Sequence, residues 1–514
     1  MILAAPPQAG SREWIGLGVL ALACILYTMD LTVLHLAVPH ISADLQPTSS
    51  QLLWIIDIYG FFVAGSLITL GNLGDRIGRR RLLLIGAITF ALTSVLAAFS
   101  SSAEMLIVSR ALLGVSGATI APSTLSLIRN MFHDPNQRTA AIGVWISSFS
   151  AGAAIGPLVG GVLLQYFWWG SVFLLAVPVM GALLVLGPRL LPEFKDPQAH
   201  RLDVISAALS LAAILAVIYG VKQIAQDGWQ LQSIMFVGAG VALGVLFLQR
   251  QRKLEYPLID LRMFRLPQFN AALLTFLLGV FVAFGVFLFI SQYLQLVLGL
   301  SPLEAGMWML PWALAFVVGS TLTPRIVRRI RPIPIIAGGL AIAAVGFGLL
   351  IQIDASMSFL LLAAGLVVSS LGLAPVFTLA TDLVVGSAPP ERAGAASAIS
   401  ETTGELGGAL GIAVLGSIGT AIYRTELANA IPVGLPPEAL ETLSGAVHAA
   451  EQLPRNLGSL LIEAAQEAFI HGLHFSILVS VMLAAVTAAL VVVTLRNTRQ
   501  QLGEKNNVTS EVSS

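Results

Sequence analysis

Charged side chains are scarce in this sequence: Asp, Glu, Lys and Arg make up 11% of its 514 residues. Soluble domains carry about 25% of such residues. A soluble protein of this length could not bury a chain that is 56% hydrophobic, so its solvent must be lipid. The net charge is zero, which argues against nucleic acid as a partner.

Cysteine is nearly absent, and this excludes whole classes of site. Cys24 stands alone, so no internal disulfide can form, and metal or thiol-redox motifs that need several cysteines are missing. The seven histidines do not cluster at a metal-ligand spacing, and no Ser or Thr has a base partner at a recognisable motif spacing. We therefore expect no metal, no cofactor and no enzyme, and we expect Cys24 to be a small core side chain.

Long apolar runs are what the sequence has instead. About fourteen of them are long enough to cross roughly 30 Å of hydrocarbon as helices. The first is too long for a signal-peptide core, so we expect a retained helix. The expected spans are residues 14–38, 52–73, 82–100, 104–128, 139–164, 170–188, 204–222, 233–249, 269–292, 303–323, 333–352, 358–385, 394–422 and 469–495.

The placement of basic residues predicts the orientation. If the N-terminus is cytoplasmic, nearly all of the 27 Lys and Arg fall in cytoplasmic segments. Lys222, Arg424 and Arg455 lie outside, and Arg110 lies within a span. Cytoplasmic loops carry such an excess of basic residues. We therefore predict a multi-pass protein of the cytoplasmic (inner) membrane with both termini in the cytoplasm.

The spans divide into six, two and six, because the seventh and eighth lie between two charged segments. Parallel six-helix repeats around a central site are a transporter architecture. The prediction is an all-α polytopic membrane protein with two six-helix bundles and an inserted two-helix hairpin. Loop 423–468 is either a cap, a partner surface or an ordered linker. The predicted divisions are an N-terminal bundle, a linker with the hairpin, a C-terminal bundle and a cytoplasmic tail, at residues 1–190, 191–265, 266–497 and 498–514.

Ionisable side chains inside spans are costly and by default mark a transport pathway. Asp30 lies in the first span and Asp57 in the second. Trp54 precedes Asp57 by three residues and shares its helix face. A carboxylate beside a ring offers a lipophilic cation a counter-charge and a π face. Alternatively, Asp57 hydrogen-bonds a neighbouring helix and Trp54 is an interface anchor.

Two acids share a face of the thirteenth span. Glu401 and Glu405 are four residues apart, and like charges at that spacing repel unless one carboxyl holds a proton. The pair is a natural proton carrier, without a firm choice between its members. Asp382, near an inner end, is expected to be a solvated or capping group.

Arg110 is the basic residue deepest in a span, and it either pairs with an acid or binds a substrate carboxylate. The acids outnumber it, so a net negative cavity and cationic substrates are favoured. Aromatic residues at plausible cavity faces are Tyr59, Trp145, Phe149 and Trp312, although each such residue more often serves helix packing.

Three motifs follow one another in specific places. They read Gly71-x-Leu73-x-Asp75-Arg76-x-Gly78-Arg79-Arg80 after span two, Leu106-x-x-x-Arg110-x-x-x-Gly114-x-x-Gly117-Ala118 in span four, and Gly152-x-x-x-Gly156-Pro157-x-x-Gly160-Gly161 in span five. They resemble the motifs of the major facilitator superfamily, the last being typical of its antiporters. With fourteen spans and the segments 29–32 and 53–59, the chain resembles the fourteen-span drug:proton antiporters, in particular the quaternary-ammonium exporters.

That resemblance implies a major-facilitator fold and export of lipophilic cations, such as biocides and dyes, driven by the proton gradient. It makes Asp30, Asp57, Glu401 and Glu405 the expected substrate and proton sites. Some relatives carry a further acid in the tenth span, whereas residues 311–317 contain none, which counts against divalent cations. We expect a monomer in the bilayer whose partners are small lipophilic cations and protons.

The motifs also imply moving parts. The basic turn 71–80 is expected to lock the two halves on the cytoplasmic side, unless its charges serve only to set the topology. The glycines within 152–161 allow close helix packing. This packing is expected to seal one face of the protein and so to favour coupled exchange over an uncoupled leak. The alternative function is export of an endogenous or anionic metabolite, with Arg110 as the substrate group and the acids as proton carriers only.

Overall fold

Helices make up the regular structure, and no β-strand occurs among the residues described. The computed structural model describes residues 8–47, 49–195, 203–227, 230–255, 257–354, 359–388, 393–430, 439–440 and 442–511. Some side chains inside these ranges lie outside the described part, including those of Asp57 and Pro157.

The N-terminal half is built from helices whose breaks have a local cause. Pro122 and Pro178 lack an N–H, and their rings clash with the carbonyl four residues earlier, so two membrane crossings are each split in two. The helices are α1 (Ser11–Leu45), α2 (Ser49–Ile77), α3 (Arg79–Ala98), α4 (Ala103–Gly117), α5 (Ile120–Met131), α6 (Pro135–Tyr166), α7 (Ser171–Leu174) and α8 (Ala176–Leu190).

The hairpin and the C-terminal half follow. Several helices begin with proline, whose fixed φ suits the first helical position. The hairpin is α9 (Val204–Asp227) and α10 (Leu231–Lys253). The C-terminal half contains α11 (Pro267–Gln292), α12 (Pro302–Val327), α13 (Pro332–Leu350), α14 (Phe359–Ser387), α15 (Ala393–Ala430), α16 (Leu443–Glu451) and α17 (Arg455–Glu511). Met263–Arg265 forms a 3-10 turn, and Tyr293–Val297 forms a π-helical turn that extends α11.

The number of crossings agrees with the predicted one. In the described ranges, thirteen stretches are long and apolar enough to cross a membrane. The predicted span 52–73 is not among them, but it is helical within α2, which brings the crossings to fourteen. The chain is therefore an all-α, multi-pass membrane protein with two six-helix bundles and an inserted hairpin. The exact domain boundaries stay predictions.

The inserted hairpin bridges the two halves, because α9 packs against both α2 and α15. We call the side of the molecule that carries the arginine-rich turns 76–81 and 325–331 the basic end. There, Arg250 donates to Asp203 with two nitrogens, at 2.7 and 3.0 Å. These hydrogen bonds lower the pKa of Asp203 to about 2, so this carboxylate is ionised at neutral pH.

The base of the hairpin is also tied to α2. The side-chain amide of Gln251 donates to the hydroxyl of Ser206 and accepts from the backbone N–H of Leu258, both at 2.7 Å. Asn72, within the basic turn, donates to the backbone oxygen of Leu258 at 2.7 Å. The linker that leads into the C-terminal half is thereby attached to the N-terminal half.

The described part of loop 423–468 is hydrogen-bonded to its surroundings. The hydroxyl of Tyr423 donates to the backbone oxygen of Ala439 at 2.8 Å. Gln466 donates to the backbone oxygens of Leu296 and Val297, at 3.2 Å each. Residues 455–468, within this predicted loop, form the start of α17. Residues 431–438 lie outside the described part, and a partner-binding role of the loop stays a prediction.

Candidate functional site

An ion pair buried in the N-terminal half joins α1 to α4. Nη1 of Arg110 lies 2.5 Å from Oδ2 of Asp30; the Arg110 side chain is fully buried, and that of Asp30 is 8% exposed. Two charges withdrawn from water are tolerated only when they are paired and hydrogen-bonded. Sequence reasoning selected both residues but left the partner of Arg110 open, and the structure supplies it.

Further contacts surround the guanidinium of Arg110. Nε donates to the backbone oxygen of Ile55 at 3.3 Å. Cζ lies 4.6 Å from the ring centroid of Tyr59, within the range of a cation–π interaction. Nη2 has no partner among the described atoms. Arg110 is therefore held by α1 and α2 and is not exposed to an open cavity.

Tyr59 begins a row of aromatic rings across the N-terminal half. Its hydroxyl donates to the backbone oxygen of Tyr27 at 3.4 Å. The ring of Tyr27 meets that of Phe149 edge-on at 5.9 Å, and Phe149 meets Trp145 at 4.7 Å. Trp145 donates from Nε1 to the hydroxyl of Thr124 at 2.8 Å. This aromatic row connects α1, α2, α5 and α6, and it contains three of the expected cavity aromatics.

Two acids of the C-terminal half lie near the tyrosines of the aromatic row. Glu401 and Glu405 both lie within electrostatic range of the Tyr27 hydroxyl, and Glu405 also lies within range of Tyr59. Both glutamates are partly exposed. Because Tyr59 also contacts Arg110, the carboxylates of one half and the ion pair of the other lie near the same two tyrosines.

One face of α15 links these acids to the basic end. Gly394, Ala398, Glu401 and Glu405 recur at intervals of four, three and four residues, which places them on one helix face. A Cβ added to Gly71 of α2 would lie 2.6 Å from Ala398 and 3.0 Å from the Gly394 backbone oxygen. The helix face that carries the acids therefore also contacts the basic turn.

The basic turn itself is held by an ion pair and by a cap. Asp75, near the end of α2, pairs with Arg79, the first residue of α3, and the Arg79 side chain is fully buried. Gly78 has a φ of +113°, a conformation that favours glycine. Glu193 accepts from the backbone N–H of Arg80 at 3.2 Å, at the start of α3, where a carboxylate is favoured. Sequence reasoning missed Glu193, since 113 residues separate it from Arg80.

The glycine motif of α6 packs against the part of α1 that carries Asp30. A Cβ added at Gly152, Gly156 or Gly160 would meet α1, whereas one at Gly161 would find no atom within 4 Å. The α1 residues met are Ile25, Thr32 and Val33, respectively. These three positions of α6 therefore require glycine, because a methyl group there would keep the backbones of α1 and α6 apart.

Gly156→Ala is expected to destabilise the protein by about 1–3 kcal/mol, because the new methyl overpacks the α1–α6 contact. Gly161→Ala is the matched control: its methyl enters open space and alanine favours the helix more than glycine does, so stability should not fall. Thermal unfolding of the detergent-purified variants, followed with export assays, measures the difference. Equal melting temperatures of the two variants would contradict the importance of this contact.

A second ion pair crosses between the two halves at the basic end. Arg138, at the start of α6, donates from Nε to Oδ1 of Asp382 on α14 at 2.7 Å. The hydroxyl of Thr139 donates to Oδ2 at 2.8 Å. The expectation that Asp382 is solvated or capping is wrong, since its side chain is 12% exposed and paired. An acid inside an apolar span indicates that a partner is present. The sequence does not identify that partner as Arg138, because 244 residues separate it from Asp382.

Other selected residues lie elsewhere. Trp54 stacks on Tyr219 of the hairpin, with ring centroids 5.9 Å apart and planes 9° apart. Trp312 lies beside Phe316 in the C-terminal half, with centroids 5.5 Å apart. Arg76 is exposed at the basic end. The side chain of Asp57 lies outside the described part of the structure.

The chemistry available here is that of carboxylates and ring faces. The part of the chain that the structure describes contains no group of three or more His, Cys, Asp or Glu suited to a metal ion. A carboxylate attracts a cation when ionised and loses that attraction when protonated, and aromatic faces also attract cations. Such a set can hold a cation and a proton alternately.

Comparison with known proteins identifies the relatives of the chain. The sequence profile of the Major Facilitator Superfamily matches residues 20–412. "Multidrug efflux pump LfrA" of Mycolicibacterium smegmatis is 43% identical over 490 residues, covering 95% of this chain and 97% of the relative. "Methyl viologen resistance protein SmvA" of Salmonella typhimurium is 35% identical over 464 residues, covering 89% and 93%.

Solved structures share the fold at low sequence identity. The human organic anion transporter MFSD10 superposes with a TM-score of 0.60 at 17% identity, covering 92% of this chain and 99% of that one. A bacterial homologue of the human lysosomal transporter Spinster gives a TM-score of 0.58 at 19% identity, covering 95% and 98%. These similarities show the fold alone.

Proposed function

Because this chain belongs to the major facilitator superfamily, we propose that it is a proton-coupled antiporter that exports lipophilic cationic drugs and biocides, such as quaternary ammonium compounds and dyes. One observation carries the proposal: Glu401 and Glu405 of one half and the Asp30–Arg110 pair of the other lie near the same two tyrosines of the aromatic row. Similarity over nearly the whole chain to a multidrug efflux pump supports drug export.

The charges support cations as the substrates. Arg110 already neutralises Asp30, so the net negative charge beside the aromatic row comes from Glu401 and Glu405. We assign cation binding to these two glutamates and to Asp57, with the rings supplying π faces. A relative is named for resistance to methyl viologen, an aromatic dication, which supports cationic substrates.

Exchange follows from competition for the same carboxylates. A proton from the outer side neutralises a glutamate, removes the counter-charge and releases the cation outward. Loss of that proton to the cytoplasm restores the site. The driving force is about 2.3 kcal/mol per charge for each 100 mV and about 1.36 kcal/mol for each pH unit. We assign Asp30 as a further proton site, because its protonation would free Arg110.

Alternating access requires a closed and an open basic end. We propose that the basic end faces the cytoplasm, with the protein in the inner membrane and both termini cytoplasmic. The contact of Gly71 with α15 and the Arg138–Asp382 pair then hold the cytoplasmic side closed. Since α15 carries both glutamates and also contacts Gly71, a change of charge at the glutamates can be transmitted along this one helix to the contact that closes the cytoplasmic side.

Proton movement in vesicles with an imposed pH gradient tests the proposal. A quaternary ammonium biocide or dye should elicit proton flux in the wild type, and the flux should fall to background in Glu401→Gln/Glu405→Gln. Glu426→Gln is the matched control, because Glu426 lies on the same helix but is exposed at its end. Methyl viologen, added separately, tests whether dications are accepted.

Either outcome is informative. Proton flux that persists in Glu401→Gln/Glu405→Gln would show that neither glutamate is needed for proton coupling. A wild-type protein that responds to no lipophilic cation would refute drug export, and export of an anionic metabolite through Arg110 would take its place.

A further inference from the structure

A crevice opens between α11 and α17 at the basic end, away from the aromatic row. Its volume is about 340 Å³, within the range of small-molecule sites in proteins. Arg265 and Asn270 line one part of it, and Leu274, Leu490 and Val491 line another. No transport role described above uses these residues.

The lining contributed by α11 and the turn before it changes from polar to apolar with depth in the membrane. From Pro267 to Leu274 the crevice follows about 10 Å of α11, running from the basic end into the apolar part of the span. The hydroxyls of Thr275 and Thr487 donate to backbone oxygens of their own helices, at 2.6 and 2.7 Å. Their hydrogen-bonding capacity is thereby directed away from the crevice, so the deep part offers an apolar surface.

The shallow part carries positive charge. Arg265 is exposed, and among the described residues that line the crevice it is the one that carries a charge. It forms no ion pair with a described residue. It lies where the chain enters the membrane, the level of lipid headgroups. A basic pocket between membrane helices on the cytoplasmic side, the side proposed above for the basic end, is a pattern that binds anionic headgroups.

We propose that this crevice is a binding site for an anionic phospholipid of the leaflet at the basic end. An acyl chain lies along Leu274, Leu490 and Val491, and the headgroup phosphate binds Arg265, with Asn270 beside it. From the turn before α11 into that helix, the order Arg265, Asn270, Leu274 passes from charge through polarity to apolar surface, as a phospholipid does from headgroup to tail. A lipid there would fill the gap between α11 and α17.

Native mass spectrometry of the full-length protein, with dioleoyl-phosphatidylglycerol or dioleoyl-phosphatidylethanolamine added, tests the site. Arg265→Gln should reduce phosphatidylglycerol adducts about fivefold, the effect expected of one basic residue near an anionic surface. Arg262→Gln is the matched control, because Arg262 belongs to the same linker but does not line the crevice. Ala271→Phe should reduce the adducts by filling the crevice without changing charge.

The proposal is overturned if Arg265→Gln and Arg262→Gln retain equal amounts of phosphatidylglycerol, or if the zwitterionic lipid binds the wild type equally well. Because lipid binding is measured without transport, the result is independent of the antiport assay.

Discussion

Asp30→Asn is expected to abolish substrate-driven proton exchange and to destabilise the protein by about 3–5 kcal/mol, the cost of leaving a buried charge without its partner. The substitution removes the carboxylate that neutralises Arg110, whose side chain is fully buried. Because loss of stability alone can abolish transport, the single variant does not separate the two effects. Thermal unfolding in detergent and vesicle proton flux have to be measured together.

The double variant Asp30→Asn/Arg110→Gln separates them. It removes both charges, so most of the lost stability should return, while proton exchange should stay absent because the titratable carboxylate is gone. Arg110→Gln alone tests whether Asp30 still titrates without its counter-ion. Proton exchange that persists in the double variant would exclude Asp30 as a proton site. Equal stability of the single and double variants would show that the Arg110 charge is compensated elsewhere.

Loss of the Arg138–Asp382 pair is expected to open the basic end. Hydrogen bonds to charged groups contribute about 1.5–3 kcal/mol, so Asp382→Asn should raise the population open at this end about 10- to 100-fold. Ser320 is a suitable reporter, since it is buried where α12 meets Gly143 of α6. In a Cys24→Ser background, the rate at which a membrane-impermeant maleimide labels Ser320→Cys measures the opening.

Two controls make this test specific. The charge swap Arg138→Asp/Asp382→Arg should restore slow labelling, because it rebuilds the pair with the polarity reversed. Asp203→Asn breaks an ion pair of the same 2.7 Å length within the hairpin and should leave labelling unchanged. If Asp203→Asn accelerates labelling as much as Asp382→Asn does, the effect reflects general loosening of the structure.

The fold could be predicted in outline because membrane insertion imposes local rules. A crossing helix needs a long apolar run, and cytoplasmic loops need basic residues, so composition within a window is enough to locate the spans. The helices nevertheless extend beyond the predicted spans: α15 has 38 residues, about 57 Å, which exceeds the hydrocarbon thickness. The additional turns lie where composition no longer distinguishes a helix from a loop.

The candidate site could be predicted only residue by residue. Asp30, Arg110, Glu401 and Glu405 could be selected because a charge inside an apolar span is costly and rarely lacks a function. Trp54 could be assigned to the helix face of Asp57 by periodicity, but periodicity does not say which neighbour that face meets. The structure places Trp54 against Tyr219 of the hairpin.

The sequence by itself determined the membrane class, the approximate spans, the division into six, two and six, and the identity of the buried charges, because each depends on composition or spacing within one segment. Only the tertiary structure decided which charges pair: Asp30 with Arg110, 80 residues apart, and Asp382 with Arg138, 244 residues apart. Such pairs depend on which helix faces pack together. That choice is made by the shape and charge of the whole assembly and leaves no periodic pattern in any one segment.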